Sequence, residues 1–155
     1  DLQTGLPNKS KCEEMLNNYE YITEPMGFVM FDLNNLKCAN DTYGHAVGDQ
    51  LITNFARLLR NAIPAKDFVG RYGGDEFIAI ITQTTKNEIL KIMDEVHDEV
   101  RHFNENIHKV EVSYAYGYAF SEDYADCTIK TLFDKADKHM YENKAIEKAK
   151  FEAIV

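Results

Sequence analysis

Phe68-Val69-Gly70-Arg71-Tyr72-Gly73-Gly74-Asp75-Glu76-Phe77-Ile78-Ala79-Ile80-Ile81 is the stretch that decides the fold. Two short apolar runs, 68–72 and 77–81, flank the turn sequence Gly73-Gly74-Asp75-Glu76, and that pattern predicts a β-hairpin. Gly73 and Gly74 lack a Cβ, which frees the backbone for positive φ and for close approach to a ligand. Asp75 and Glu76 follow at once. Successive side chains on a strand point to opposite faces, so these two carboxylates would not engage one ion in the same way. Taken alone, the turn also reads as a solvated acidic tip.

Working outward, Gly27-Phe28-Val29-Met30-Phe31 is a continuous apolar run that predicts a buried strand ending at Asp32. Helical spacing of Cys12, Met15, Leu16 and Tyr19 predicts a helix over 10–19. Leu51, Ile52, Phe55, Leu58 and Leu59 define the apolar face of a helix over 48–62. Further helices are expected over 87–103 and from 128 to about 148, and alternation predicts a long strand over 110–120. Strands and helices interleave around a hairpin. The fold class is therefore α+β, with a mixed or antiparallel sheet.

The chain has 155 residues, 45% hydrophobic and 28% charged, which fits one soluble globular domain spanning 1–155. A net charge of -9 argues against sequence-independent nucleic-acid binding, which needs many phosphate contacts from Lys and Arg. A few local cations and a metal can still hold a small phosphate ligand on an acidic protein. Cys12, Cys38 and Cys127 are scattered and read as reduced thiols of a cytoplasmic protein. The five histidines show no metal-ligand spacing. Neither an apolar run of membrane-spanning length nor a signal peptide is visible. The start at Asp1 without Met reads as a piece of a longer protein.

Four groups of residues carry chemistry. Asp32 stands where a strand stops, and reads either as a functional carboxylate or as the cap of a following helical turn. If the strands ending at Asp32 and carrying Asp75 are neighbours, the two carboxylates converge. Two carboxylates plus ligand phosphates are a usual way to hold Mg²⁺ for phosphoryl transfer. Between Asn34 and Asp49, Lys37 can reach a phosphate. A carboxylate such as Asp49 can accept the paired donors on the Watson–Crick edge of guanine, which adenine lacks. The plainer readings are a solvated Lys37, a turn-forming Asn40 and an Asp49 that suits a helix dipole. Lys144 and Lys148, four apart on the last helix, share a face that can grip phosphates or simply suit the helix C-terminus.

In order and spacing these segments resemble the GGDEF domain family, the diguanylate cyclase catalytic unit. Asp1-Leu2-Gln3-Thr4-Gly5-Leu6-Pro7-Asn8 is similar to its D-x-L-T-G-L-x-N opening, with Gln3 in place of Leu. Phe31 to Asp49 is similar to FDxDxFKxxNDxxGHxxGD. Arg71 to Phe77 contains the signature itself, and Ala136 to Lys144 is similar to AD-x-ALY-x-AK.

The resemblance implies a nucleotide-cyclase or palm-like domain: a five-stranded, mostly antiparallel central sheet wrapped by helices, with the signature on a hairpin. It implies Mg²⁺, or Mn²⁺ in its place, bound by Asp32, the main-chain carbonyl of Leu33 and Asp75. Glu76 would serve metal binding or activation of the 3′-hydroxyl. Asn40 and Asp49 would read guanine. Lys37, Lys144, Lys148, Gly73, Gly74 and the backbone near Asn35 and Leu36 would hold the triphosphate. Two GTP-loaded domains would meet as a homodimer to make cyclic di-GMP, under an upstream sensor or receiver domain that can be membrane-anchored. No nucleic acid and no direct membrane contact are expected.

Three departures stand out. Asn34-Asn35-Leu36 replaces a D-x-F run. Lys148 stands at an arginine position, keeping charge but not the bidentate fork. Pro64-Ala65-Lys66-Asp67 lacks the arginine of the family's inhibitory product site, so no tight product inhibition is expected there. The alternative functions are a catalytically weak regulatory domain that holds GTP, a dimerising domain without nucleotide, and a relaxed cyclase that also takes ATP.

Overall fold

The hairpin closes at the two glycines. Strands β2 (Phe68–Arg71) and β3 (Glu76–Thr82) pair antiparallel, with Arg71 opposite Phe77. The N–H groups of Tyr72 and Gly73 donate to the Glu76 carbonyl at 2.8 and 3.1 Å. The expected positive φ is not used here: among the described residues the glycines with positive φ are Gly5 and Gly44. A Cβ on Gly74 would meet nothing within 4 Å, and one on Gly73 would only touch the Glu76 side chain at 3.5 Å. What these glycines leave is open space above the turn.

The structure, a computed structural model, describes residues 1–106 and 108–154. Strand β1 (Met26–Leu33) lies between β3 and β4 (Tyr114–Phe120), antiparallel to both, in the order β2-β3-β1-β4. The described residues thus form four strands where the resemblance implies five. The strand expected from Val110 begins only at Tyr114. Asn104 explains part of the delay: its side chain donates to the Val112 carbonyl and accepts from the Val112 N–H, both at 2.9 Å. Backbone groups satisfied in this way are not available to a ladder.

β1 is apolar from Met26 to Phe31 because both faces of the sheet are covered. Val29, Phe31, Phe77 and Ala79 pack under α3 (His45–Ala62) and α4 (Lys86–Asn104), with Phe55 and Val96 from those helices. Phe28, Met30, Ile78 and Ile80 face α1 (Lys9–Asn18) and α5 (Ile129–Ile154), with Cys12, Leu132 and Ala136. The sheet's neighbours on this side include the small residues Ala115, Gly117 and Ala119 of β4, which let α5 lie close. A Cβ at Gly117 would stand 2.1 Å from the Ala136 carbonyl oxygen and 2.3 Å from the Met140 nitrogen. β4 is an edge strand, and the N–H of Tyr118 donates to His139 Nδ1 at 3.0 Å. An N–H can only donate, so that ring nitrogen is unprotonated and the histidine satisfies part of the strand's open rim.

Helix α2 (Leu36–Tyr43) lies in a stretch expected to hold no more than a turn. Asp32 is inside β1 and caps nothing; the cap position of α2 is Asn35, in the left-handed region at φ 65°. α3 starts at His45, ahead of the expected residue 48. Gly48 is buried within it because the Asn40 side chain crosses there: a Cβ at 48 would fall 1.7 Å from Asn40 Oδ1.

Candidate active site

Antiparallel pairing places Asp32 opposite Glu76, at the end of β1 and the start of β3. The Leu33 N–H donates to the Asp75 carbonyl at 2.8 Å, which ties the hairpin turn to the strand that carries Asp32. Asp32, Asp75 and Glu76 therefore come together, and Lys144 reaches them from α5 to form an ion pair with Asp32 Oδ2. The expected strand neighbourhood is present, and a lysine 112 positions away completes it.

The charges are unevenly compensated. The Asp75 carboxyl is pushed above the usual range, first by burial and then by the Asp32 charge, with Lys144 pulling the other way. Glu76 is raised likewise by burial, then by Asp32, Asp75 and Asp137. The second oxygen of Asp32, Oδ1, is buried without a hydrogen-bond partner. An ionised oxygen in that state is costly unless a cation reaches it.

These observations fit a divalent cation. No group of three His, Cys, Asp or Glu side chains among the described residues is arranged to hold a metal ion by itself. Mg²⁺ is commonly held by one or two carboxylates plus substrate phosphates and water, so two carboxylates and a neighbouring carbonyl suit it. Asp32, Asp75 and Leu33 are the residues that would hold it.

Beside this cluster lies an open cleft of about 580 Å³, lined by Leu33, Asn35, Leu36, Lys37, Asp75 and also Cys38, Asp41 and Thr42. Its floor is the start of α2, whose cap residue makes no side-chain hydrogen bond to the first turn. Free N–H groups at a helix start, with Lys37 beside them, suit an anion such as phosphate. Asp41 matches the ND of the family segment but has no role implied by it, and Thr42 carries no signal, because their helix is not legible in the sequence.

Asn40 and Asp49 lie on the α2–α3 pair and do not line this cleft. Asn40 is half-buried against Gly48, while Asp49 is exposed and accepts a hydrogen bond from Gln3 Nε2 at 3.0 Å. Lys148 is exposed, one turn beyond Lys144 on α5.

The stretch before the hairpin has a different character. The Asp67 side chain is fully buried and accepts from the Thr82 N–H and Oγ1 at 3.0 and 3.2 Å, and from Lys66 Nζ at 3.0 Å. Arg60 donates to the carbonyls of Ile63, Pro64 and Asp67. Asp67 is thus engaged inside the fold through Oδ1, while its Oδ2 is buried without a hydrogen-bond partner.

Arg71, just ahead of the two signature glycines, joins the hairpin turn to the N-terminal loop. Its guanidinium donates to the carbonyls of Gly73 (3.2 Å) and Gly74 (2.8 Å) and to the side chains of Asp1 (3.1 Å) and Gln3 (2.8 Å).

Comparison with known proteins gives consistent results. A model of the family described as "Diguanylate cyclase, GGDEF domain" matches residues 1–150. The uncharacterized membrane protein SSP1970 of Staphylococcus saprophyticus is 28% identical over all of this chain and 46% of its own length. Diguanylate cyclase DgcZ of Escherichia coli is 30% identical, over 93% of this chain and 49% of its own. The chain spans less than half the length of these curated relatives. The crystal structure of Pseudomonas aeruginosa diguanylate cyclase SiaD with its activator SiaC superposes with a TM-score of 0.82 at 26% identity, covering 94% of this chain and 57% of that one.

Proposed function

Because this chain belongs to the GGDEF domain family, we propose that it is a diguanylate cyclase that condenses two GTP molecules into cyclic di-GMP. The observation that carries the reading is the convergence of Asp32, Asp75, Glu76 and Lys144 beside a cleft that suits phosphates. When bound, Mg²⁺ supplies charge neutralisation of the triphosphate during phosphoryl transfer. Asp32 and Asp75, with the Leu33 carbonyl, would hold it. Lys37, the α2 start and Lys144 hold the phosphates, and Gly73 and Gly74 leave them room. Asn40 and Asp49 orient guanine. Glu76 serves metal binding or activation of the 3′-hydroxyl, and its raised pKa supports the second role.

The 3′-oxygen of one GTP forms a bond to the α-phosphorus of the other, the bond to pyrophosphate breaks, and the event happens twice. One domain holds one nucleotide, so two copies meet with their sites facing each other. Product formation is therefore expected to rise more steeply than linearly with protein concentration. Chromatographic separation of nucleotides over a protein dilution series checks this; strict proportionality would count against it. Lys148 in place of arginine favours a second reading, a domain that holds GTP to regulate a neighbour. GTP protection in a thermal melt with no pyrophosphate release, even after fusion to a strong dimeriser, would select it.

Among the described residues no helix is long and apolar enough to cross a membrane. A relative named as a membrane protein is matched over all of this chain but 46% of its own length. We place this domain on the cytoplasmic side of a longer protein, with an upstream sensor or receiver segment that is membrane-anchored.

The engagement of Asp67 supports the absence of tight product inhibition. Added cyclic di-GMP at micromolar concentration is expected to leave the initial rate unchanged. Asp67→Ala is instead expected to lower stability by about 1–3 kcal/mol, because the half-buried Thr82 N–H loses its acceptor. Submicromolar inhibition that Asp67→Ala relieves would overturn this.

A further inference from the structure

Asp49 is exposed in the second turn of α3, where no acidic residue stands in the first turn. Its carboxylate accepts from Gln3, whose Nε2 donates to Asp49 Oδ1 at 3.0 Å. The other end of the same amide, Gln3 Oε1, accepts from Arg71 at 2.8 Å. A guanidinium has no acceptor, so it fixes which way the amide faces: oxygen to Arg71, NH₂ to Asp49. The relay therefore has one direction, Arg71 to Gln3 to Asp49.

Gln3 is exposed, but its backbone is anchored on both sides. Asp1 Oδ2 accepts from Thr4 N and Oγ1 at 3.1 and 2.7 Å and pairs with Arg71. The Gly5 N–H donates to the Asp1 carbonyl at 2.8 Å, with Gly5 at φ +75°. Leu6 is buried in the core. The loop is thus a closed knot that presents one amide to Asp49. The same guanidinium holds the carbonyls of Gly73 and Gly74, so it grips both the catalytic turn and, through Gln3, the helix that carries Asp49.

We propose that Gln3 is a positioning residue for base recognition: it holds the Asp49 carboxylate in the orientation that accepts the guanine edge, in register with the signature turn. The proposal rests on Asp49 reading guanine. Leucine, the residue the family pattern has at this position, cannot make either hydrogen bond, so the device belongs to this chain.

The test is binding of GTP and of inosine triphosphate, which lacks the exocyclic amine, at protein concentrations too low for product to form. The quantity read is the ratio of the two dissociation constants, with a thermal melt beside it. Gln3→Leu removes both bonds. Gln3→Glu keeps the acceptor for Arg71 but cannot donate to Asp49. Both variants are expected to narrow the preference for GTP by about three- to fivefold, the scale of one solvent-exposed hydrogen bond to a charge, with the melting temperature little changed. Combined with Asp49→Ser, Gln3→Leu should add nothing further. If Asp49→Ser narrows the ratio and neither Gln3 variant does, the relay is overturned while the base assignment stands. If Gln3→Leu narrows it and Gln3→Glu matches the parent, packing is responsible and donation to Asp49 is refuted. If Asp49→Ser also leaves the ratio unchanged, the base assignment fails and the relay falls with it.

Discussion

Replacing Asp75 by Asn is expected to abolish cyclic di-GMP formation and to raise the melting temperature of the nucleotide-free domain at neutral pH. The first effect follows from removing one of the two carboxylates proposed to hold the divalent cation. Losing several kcal/mol of transition-state stabilisation corresponds to a fall of at least about a thousandfold. The second effect follows from the charge balance. Burial and the neighbouring Asp32 raise the Asp75 pKa in the folded state above its ordinary 3.8. A raised acid contributes stability that is fully present below the unfolded value and is lost as pH rises through the folded value. At neutral pH the ionised Asp75 is therefore held at a cost, and Asn keeps its shape without the charge. The gain in melting temperature should shrink as pH is lowered toward 3.8. Calorimetry across pH and chromatographic product assays check the two halves separately. A variant that keeps its rate would remove Asp75 from the chemistry; one that melts lower at pH 7 would show that the carboxylate is stabilising.

Gly117→Ala is the second large effect, and it acts on the fold. The added carbon would stand 2.1 Å from the Ala136 carbonyl oxygen and 2.3 Å from the Met140 nitrogen. Both are backbone atoms inside α5, so no side-chain rotation relieves the overlap. The helix must lift from β4, and the buried contacts of Leu132 and Met140 loosen with it. The expected loss is about 3 kcal/mol, at the upper end of ordinary overpacking. Denaturant titration measures it. Gly74→Ala is the matched control, since a Cβ there meets nothing within 4 Å and stability should hardly change. Because α5 carries Lys144, a lifted helix also draws the lysine away from Asp32. A Gly117→Ala domain as stable as its parent would mean that α5 can shift at little cost.

Most elements were legible in the sequence because their apolar residues recur at the period of the structure they form. The hairpin and the strand ending at Asp32 show this plainly, and together they located three carboxylates of the site. The misses have local causes. α2 buries Ala39 alone, so it shows no apolar stripe, and it begins at a left-handed Asn35 without a side-chain cap. Gly48 looks like a helix boundary but serves the close passage of Asn40. Val110 to Ser113 alternates like a strand, yet the Asn104 amide takes the Val112 backbone. Lys144 carried no spacing signal linking it to Asp32, since only the packing of α5 on the sheet brings them together. The amide bridge from Gln3 to Asp49 spans 46 positions and has no periodic signature at all.

The bond from Tyr118 to His139 bears on how the chain behaves when concentrated. At high concentration an unsatisfied strand margin invites further chains to stack on and grow into aggregates. Here an imidazole has already taken one of those backbone donors. Substituting His139 by a residue without a ring nitrogen would return it to solvent, and the first symptom would be turbidity before any loss of turnover.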